Sequence, residues 1–166
     1  MKPIVNINEV SLEHSEKGKL YEEAFCSFGE QIGARFLGYG VSIVPPGKRA
    51  CPFHSHHVNE EMFFIIEGKG KLRFGDEVYA LKAGDVIACP PGGPEVAHQI
   101  INDSDSHLKY LSVSTMTEAD FCEYPDSGKF GAFAPFVTID GKETRRIRFL
   151  GRAENTLDYW DGEEID

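Results

Sequence analysis

Between Ala34 and Thr115 the apolar residues come in short bursts, ARFLGYGVSIV, EMFFIIEG, GKLRF, EVYAL, DVIACP, HQIIN and HLKYLSVST, each ended by glycine, proline or a few polar residues. Bursts of this length, rich in β-branched and aromatic side chains and bounded by turn formers, predict strands. Gly75-Asp76 is the clearest two-residue hairpin turn, and Pro45-Pro46-Gly47 closes a strand running from Ala34 to Val44. The tract NDSDS predicts a loop before His107, because its short side chains hydrogen-bond nearby backbone. Two stretches read differently. Ser11 to Phe25, with Leu12, Leu20, Tyr21 and Phe25, suggests a helical turn interrupted at Lys17-Gly18-Lys19. Thr117-Glu118-Ala119-Asp120 reads as a helix start leading through FCEY to Pro125, with Asp126-Ser127-Gly128 as a lid or a plug at one end. The sum is an all-β domain, a sandwich or closed barrel with short helical trimmings.

Composition narrows the partners. With 17 basic and 27 acidic residues the formal charge is −10, which opposes a phosphate-tracking surface. Arg145, Arg146 and Arg148 alternate with Ile147 and Phe149, as on the solvated face of a strand. No apolar run approaches membrane-spanning length, and MKPIVNINEVSLEH lacks a secretory h-region. Cys26, Cys51, Cys89 and Cys122 form no CxxC pair, so the expectation is reduced thiols in the cytoplasm, with no nucleic-acid or membrane partner. At the C-terminus Leu157, Tyr159 and Trp160 need cover, from the chain's own barrel or from a second subunit.

The chemistry concentrates between Gly47 and Asn102. His54 and His56 are two residues apart; in a strand they share a face, about 7 Å apart at roughly 3.3 Å per residue. Glu61 follows within the next strand and His98 comes after CPPGGPEVAH. Imidazole nitrogens and a carboxylate suit a borderline divalent cation, Mn, Fe, Zn, Ni or Co. Glu60 and Glu61 must face opposite sides of a strand, and Glu61 shares its side with Phe63 and Ile65. Glu60 then lines the pocket or meets solvent. His57 opposes the parity of His54 and His56, and His107 reads as an exposed residue at the start of a strand.

These residues carry a resemblance. Gly47, His54, His56, Glu61 and Gly68 resemble the first cupin motif, and Gly84, Pro90, Gly92, His98 and Asn102 resemble the second. Two spacings depart from the pattern: six residues rather than five separate Gly47 from His54, and five rather than two separate Gly92 from His98. The resemblance implies a double-stranded β-helix, the jelly-roll barrel of small single-domain cupins. Its core would span about residues 34–116, with an N-terminal arm over 1–33 and a C-terminal extension over 117–166, and cupins of this kind often form homodimers. It also implies His54, His56, Glu61 and His98 as ligands of one divalent metal.

In size and ligand set the chain is similar to sugar-phosphate isomerase-like cupins. A cation with open positions would take adjacent hydroxyl and carbonyl oxygens and favour an enediolate. The proton moved between carbons would need a base, Glu60 or His57. The same ligands would equally hold Fe(II) for oxygenation, and the fold also serves non-catalytic sugar-binding proteins. Lys48, Arg49 and Arg35 are the basic residues available for a phosphate, although each reads more simply as structural or solvated.

Overall fold

The computed structural model describes residues 2–117, 119–134, 136–145 and 147–164, with backbone alone for 136–139 and 142–145. Among the described residues strands dominate, joined by four single-turn 3₁₀ helices. In chain order they are β1 (Glu13–Lys17), β2 (Tyr21–Ser27), β3 (Leu37–Val44), β4 (Ser55–His56), β5 (Glu61–Glu67), β6 (Lys69–Phe74), β7 (Glu77–Lys82) and β8 (Val86–Cys89). They continue as β9 (His98–Ile101), β10 (Leu108–Thr115), β11 (Asp120–Tyr124), β12 (Lys129–Phe133), β13 (Phe136–Ile139), β14 (Lys142–Arg145) and β15 (Arg148–Gly151).

One sheet runs β1-β2-β3-β10-β5-β8, all neighbours antiparallel. Facing it are β7-β6-β9 and β15-β12-β11-β4. A bridge between His54 and His98, with reciprocal backbone hydrogen bonds of 3.2 and 2.8 Å, joins those two edge to edge. The architecture is the all-β double-stranded β-helix that the sequence implied. Its core lies between the sheets: Val44, Phe63, Ile65, Leu72, Leu81, Ile87, Ile100, Leu108 and Tyr110 form one buried cluster. Strand alternation produces it directly, because Phe63 and Ile65 turn inward while Phe64 between them is exposed.

Two motif residues hold the barrel together and touch no ligand. Gly68 ends β5 at φ 88°, and a Cβ there would lie 2.3 Å from the His107 carbonyl oxygen, so only glycine fits. Asn102 is fully buried; its Nδ2 donates to the carbonyls of Val44 and Ser106, each at 2.8 Å, while its Oδ1 accepts from Ser104. Side-chain amides with both ends engaged stitch the NDSDS loop onto β3.

Both helical expectations are overturned. Residues 13–27 form the β1–β2 hairpin, and Lys17-Gly18-Lys19 lies at its turn, with Gly18 at φ 59°. β1 is exposed along its whole length, so no alternating pattern announced it. The segment expected to be a helix from Thr117 is instead strand β11, paired with both β12 and β4. Glu118 itself lies outside the described residues. Asp120 is no N-cap: its carboxylate accepts the N–H groups of Val58, Asn59 and Phe121. The strand from Ala34 begins later, at Leu37. Tyr159 and Trp160 stack edge to face but stay 84% and 59% exposed, so they do not cover the barrel. Arg148 is exposed on β15, and Arg146 lies outside the described residues. No helix among the described residues is long and apolar enough to cross a membrane.

Candidate metal centre and its cavity

β4, β5, β9 and the bridge residue just before β4 deliver the four side chains expected as ligands. His54 and His98 face each other across the bridge, with ring centroids 4.8 Å apart, and His56 stands 5.0 Å from His54. Glu61, at the start of β5 in the opposite sheet, reaches between them. Its Oε2 lies 3.0 Å from Nε2 of His98, 3.5 Å from Nε2 of His56 and 3.8 Å from Nε2 of His54. Donor atoms that share one cation at roughly 2.0–2.2 Å stand roughly 3.0–3.6 Å apart, close to these separations.

The other ring nitrogens decide which atom faces the centre. Nδ1 of His54 meets the Pro52 carbonyl at 2.9 Å, Nδ1 of His98 meets the Val96 carbonyl at 3.4 Å, and Nδ1 of His56 meets Asp120 Oδ2 at 2.5 Å. Each partner is an acceptor, which places a proton on Nδ1 and turns Nε2 inward. Backbone carbonyls and a carboxylate behind ligating histidines orient such centres. Asp120 is itself fixed, because Asn59 Nδ2 donates to it at 2.9 Å in addition to the three backbone donors. Cys122, 3.3 Å from His56 Nδ1, completes a group of His56, Asp120 and Cys122. That group shares Nδ1 of His56, not Nε2, so it backs the centre and does not compete with it.

Burial, then the proximity of His98, pushes His54 down to about 4. Burial also opposes charge on His56, but Asp120, Cys122 and Glu61 together overcome it and lift that imidazole to about 10. Glu61 and Asp120 are held below the usual carboxylate range: burial works against both, and the imidazoles prevail. Two ionised carboxylates at a knot of imidazoles make a centre that attracts positive charge; a divalent cation there would displace the proton that His56 otherwise holds, leaving three neutral nitrogens and one oxygen, a donor set that suits it.

The centre opens into a cavity of about 330 Å³. His54 and Glu61 line it together with Phe63, Cys51, Glu23, Ser42, Tyr110 and Ser112. Gly40 lies in its wall; a Cβ there would sit 2.5 Å from the Phe25 ring, which fills that space. Burial pushes the Cys51 thiol up to about 12, with Glu61 and Glu23 adding to it, and pushes Cys89 and the Tyr110 phenol up as well. Those groups keep their protons.

Glu60 and His57 lie elsewhere. Glu60 is exposed, its backbone N–H donating to Thr115 Oγ1 at 2.9 Å. His57 pairs with Glu123 at 2.6 Å and lines a different cavity, about 560 Å³, with Phe121, Tyr124 and Phe130. His107 is exposed and remote from the centre in the fold. Lys48 binds Glu22 at 2.8 Å, Arg49 reaches Gln99 at 3.4 Å and lies over the Tyr21 ring, and Arg35 is exposed. Several residues of the site escaped the sequence reading. Asp120 and Glu23 were hidden because their segments were read as helical, and Tyr124, stacked on His54 at 6.1 Å, sits beyond the same misread start.

Residues 40–114 match the family model described as a cupin domain. An uncharacterised protein of Methanocaldococcus jannaschii is 37% identical over 73 residues, which cover 44% of this chain and 55% of that protein. The chain thus matches about half the length of that relative. A candidate sugar phosphate isomerase from Acidithiobacillus ferrooxidans superposes with a TM-score of 0.74 at 23% identity, covering 95% of this chain and 96% of the other. A cupin-superfamily sugar phosphate isomerase from Silicibacter pomeroyi gives 0.74 at 19% identity, covering 96% and 98%. At such identities the likeness is one of fold.

Proposed function

We propose that this chain, a cupin over residues 40–114, holds one divalent cation through His54, His56, Glu61 and His98 and isomerises a small phosphorylated sugar. The observation that carries the proposal is the convergence of three Nε2 atoms on Glu61 Oε2 beside a cavity walled by hydroxyls. Two structural neighbours that bear the isomerase description, over nearly their whole length, support the choice of reaction.

The cation supplies an electrophilic charge for adjacent carbonyl and hydroxyl oxygens. The chain's own residues do the rest. His54, His56, Glu61 and His98 fix its place, and Asp120 keeps His56 in the tautomer it needs. Ser42, Ser112 and Tyr110 offer hydrogen bonds to substrate hydroxyls. Phe25 and Phe63 displace water from the wall, which strengthens those polar contacts.

Metal analysis of protein purified without chelators, followed by turnover screens on sugar phosphates in air and under argon, tests this reading. Bound divalent metal with equal anaerobic turnover supports it. Turnover that requires oxygen would replace it with Fe(II)-dependent oxygenation, and binding without turnover would leave a sugar-binding protein. We also propose that the chain works as a homodimer, a reading supported by the exposed aromatic side chains on β11, β12 and β15.

A further inference from the structure

Glu22 and Glu23 are neighbours in sequence with opposite surroundings. Alternation along β2 turns Glu22 outward, where it meets Lys48 at 2.8 Å and His14 at 3.3 Å, and these hold its carboxyl below the usual range. The same alternation turns Glu23, with Phe25 and Ser27, into the cavity beside the metal centre. There Ser42 Oγ–H donates to Glu23 Oε2 at 3.2 Å, and no cationic side chain among the described residues pairs with it. Across the cavity stand Tyr110, Cys51 and Glu61, none of them positive. Burial raises the Glu23 carboxyl above its ordinary value, and the Ser42 bond offsets part of that.

Of the two carboxylates lining this cavity, Glu61 belongs to the donor set with His54, which leaves Glu23; Cys51 and Tyr110 are held protonated, and Tyr39 offers a phenol. We propose that Glu23 is the residue that carries the proton between the two carbons of the substrate. This rests on the isomerase reading above and names the group that reading lacks. Glu23 carboxylate takes the proton from the hydroxyl-bearing carbon; that C–H electron pair becomes the carbon–carbon double bond, and the carbonyl π pair moves onto its oxygen. The remaining hydroxyl proton passes to that oxygen. The second oxygen then re-forms a carbonyl, and the double-bond pair takes the proton back from Glu23 carboxylic acid at the neighbouring carbon. No oxidant or reductant is required. A carboxyl whose proton affinity is raised towards neutrality suits both halves of the exchange.

The test compares the wild-type protein with Glu23→Gln, which keeps size and the Ser42 contact, on metal content, proton linkage and turnover. Acetohydroxamate, a bidentate mimic of the planar intermediate, is titrated calorimetrically into the metal-loaded proteins in two buffers of different ionisation enthalpy. The expected result is equal metal content, with about one more proton released on binding in Glu23→Gln than in the wild type, where Glu23 takes up the proton that the hydroxamic acid loses to the metal. On whichever sugar phosphate the screen identifies, kcat falls about 10²–10⁴-fold in Glu23→Gln with KM changed only a few-fold. Ser42→Ala, lacking the bond that favours the ionised form, moves the acid limb of the kcat profile to higher pH. Equal net proton release in wild type and Glu23→Gln, or a kcat within about threefold of wild type, overturns the assignment of Glu23. Failure of acetohydroxamate to bind the metal-loaded wild type would instead sink the isomerase reading, and Glu23 with it.

Discussion

At the scale of single residues, the ligands and the groups behind them separate cleanly. His98→Ala and His56→Ala each remove an Nε2 donor, and bound metal should fall by an order of magnitude or more in equilibrium dialysis. Asp120→Asn is more informative. It retains volume but can turn an N–H towards His56 Nδ1, which disturbs the tautomer that presents Nε2 inward; metal affinity should drop about 10–100-fold with little change in far-UV circular dichroism. Unchanged affinity would mean that the 2.5 Å contact does not orient the ligand. Glu23 gives a pH prediction with a definite sign. Its folded proton affinity is raised, so below the ordinary value of 4.5 both states are protonated, and above it the unfolded chain loses its proton first. Stability of the metal-free wild type, relative to Glu23→Gln, therefore declines as pH rises from 4.5 through the raised folded value and then levels off. Parallel melting-temperature curves for the two proteins would contradict it. The HxH spacing and the parity of Glu61 with Phe63 and Ile65 made three members of the cluster readable, and the resemblance of Gly84 to Asn102 to the second motif added His98. Asp120 was not readable, because a Thr-x-x-Asp start has the same letters whether its carboxylate caps a helix or serves a histidine 64 residues away.

At the scale of elements, legibility followed burial. Strands β5, β6, β8 and the start of β10 alternate in burial because one face packs into the core, and their short apolar bursts between turn formers are written in the sequence. Among the described residues β1 pairs with β2 alone, and its residues EHSEK have no apolar side, so only its pairing with the next strand defines it. The Gly75-Asp76 turn was clear for the converse reason, since β6 and β7 pair in register right up to Phe74 and Glu77. Two substitutions weigh these elements. Ile65→Ala deletes a fully buried side chain at the centre of β5 and should cost about 2–5 kcal/mol in urea unfolding. Gly68→Ala adds only a methyl, yet it meets both a left-handed backbone and the His107 carbonyl; about 1–2 kcal/mol of strain comes from the conformation alone, before the contact is counted. A Gly68→Ala protein as stable as wild type would mean that the end of β5 can move away from His107.

At the scale of the whole molecule, the surface carries an unresolved tension between charge and apolar exposure. Phe121, Ala132 and Phe149 lie opposite one another across β11, β12 and β15, and antiparallel partners share a face. Phe130 joins them with its ring 5.7 Å from Phe149, and the groove of about 560 Å³ lined by Phe121 and Phe130 opens on the same side. Clustered exposed aromatics of this kind mark association surfaces, whereas a charge of −10 on each copy opposes association. Apolar burial barely responds to moderate salt, but repulsion between copies is screened within roughly 10 Å at 0.1 M ionic strength. The proposed homodimer should therefore tighten as salt is raised from about 0.02 to 0.3 M, the opposite of an assembly held by ion pairs. Sedimentation velocity over that range measures it directly. Phe149→Asp places a carboxylate in the middle of the aromatic face and should yield monomers at every salt concentration while leaving bound metal intact, since β15 contributes nothing to the ligand cluster. A wild-type protein that sediments as a monomer throughout, or a Phe149→Asp protein that still pairs, would move the subunit contact away from this face.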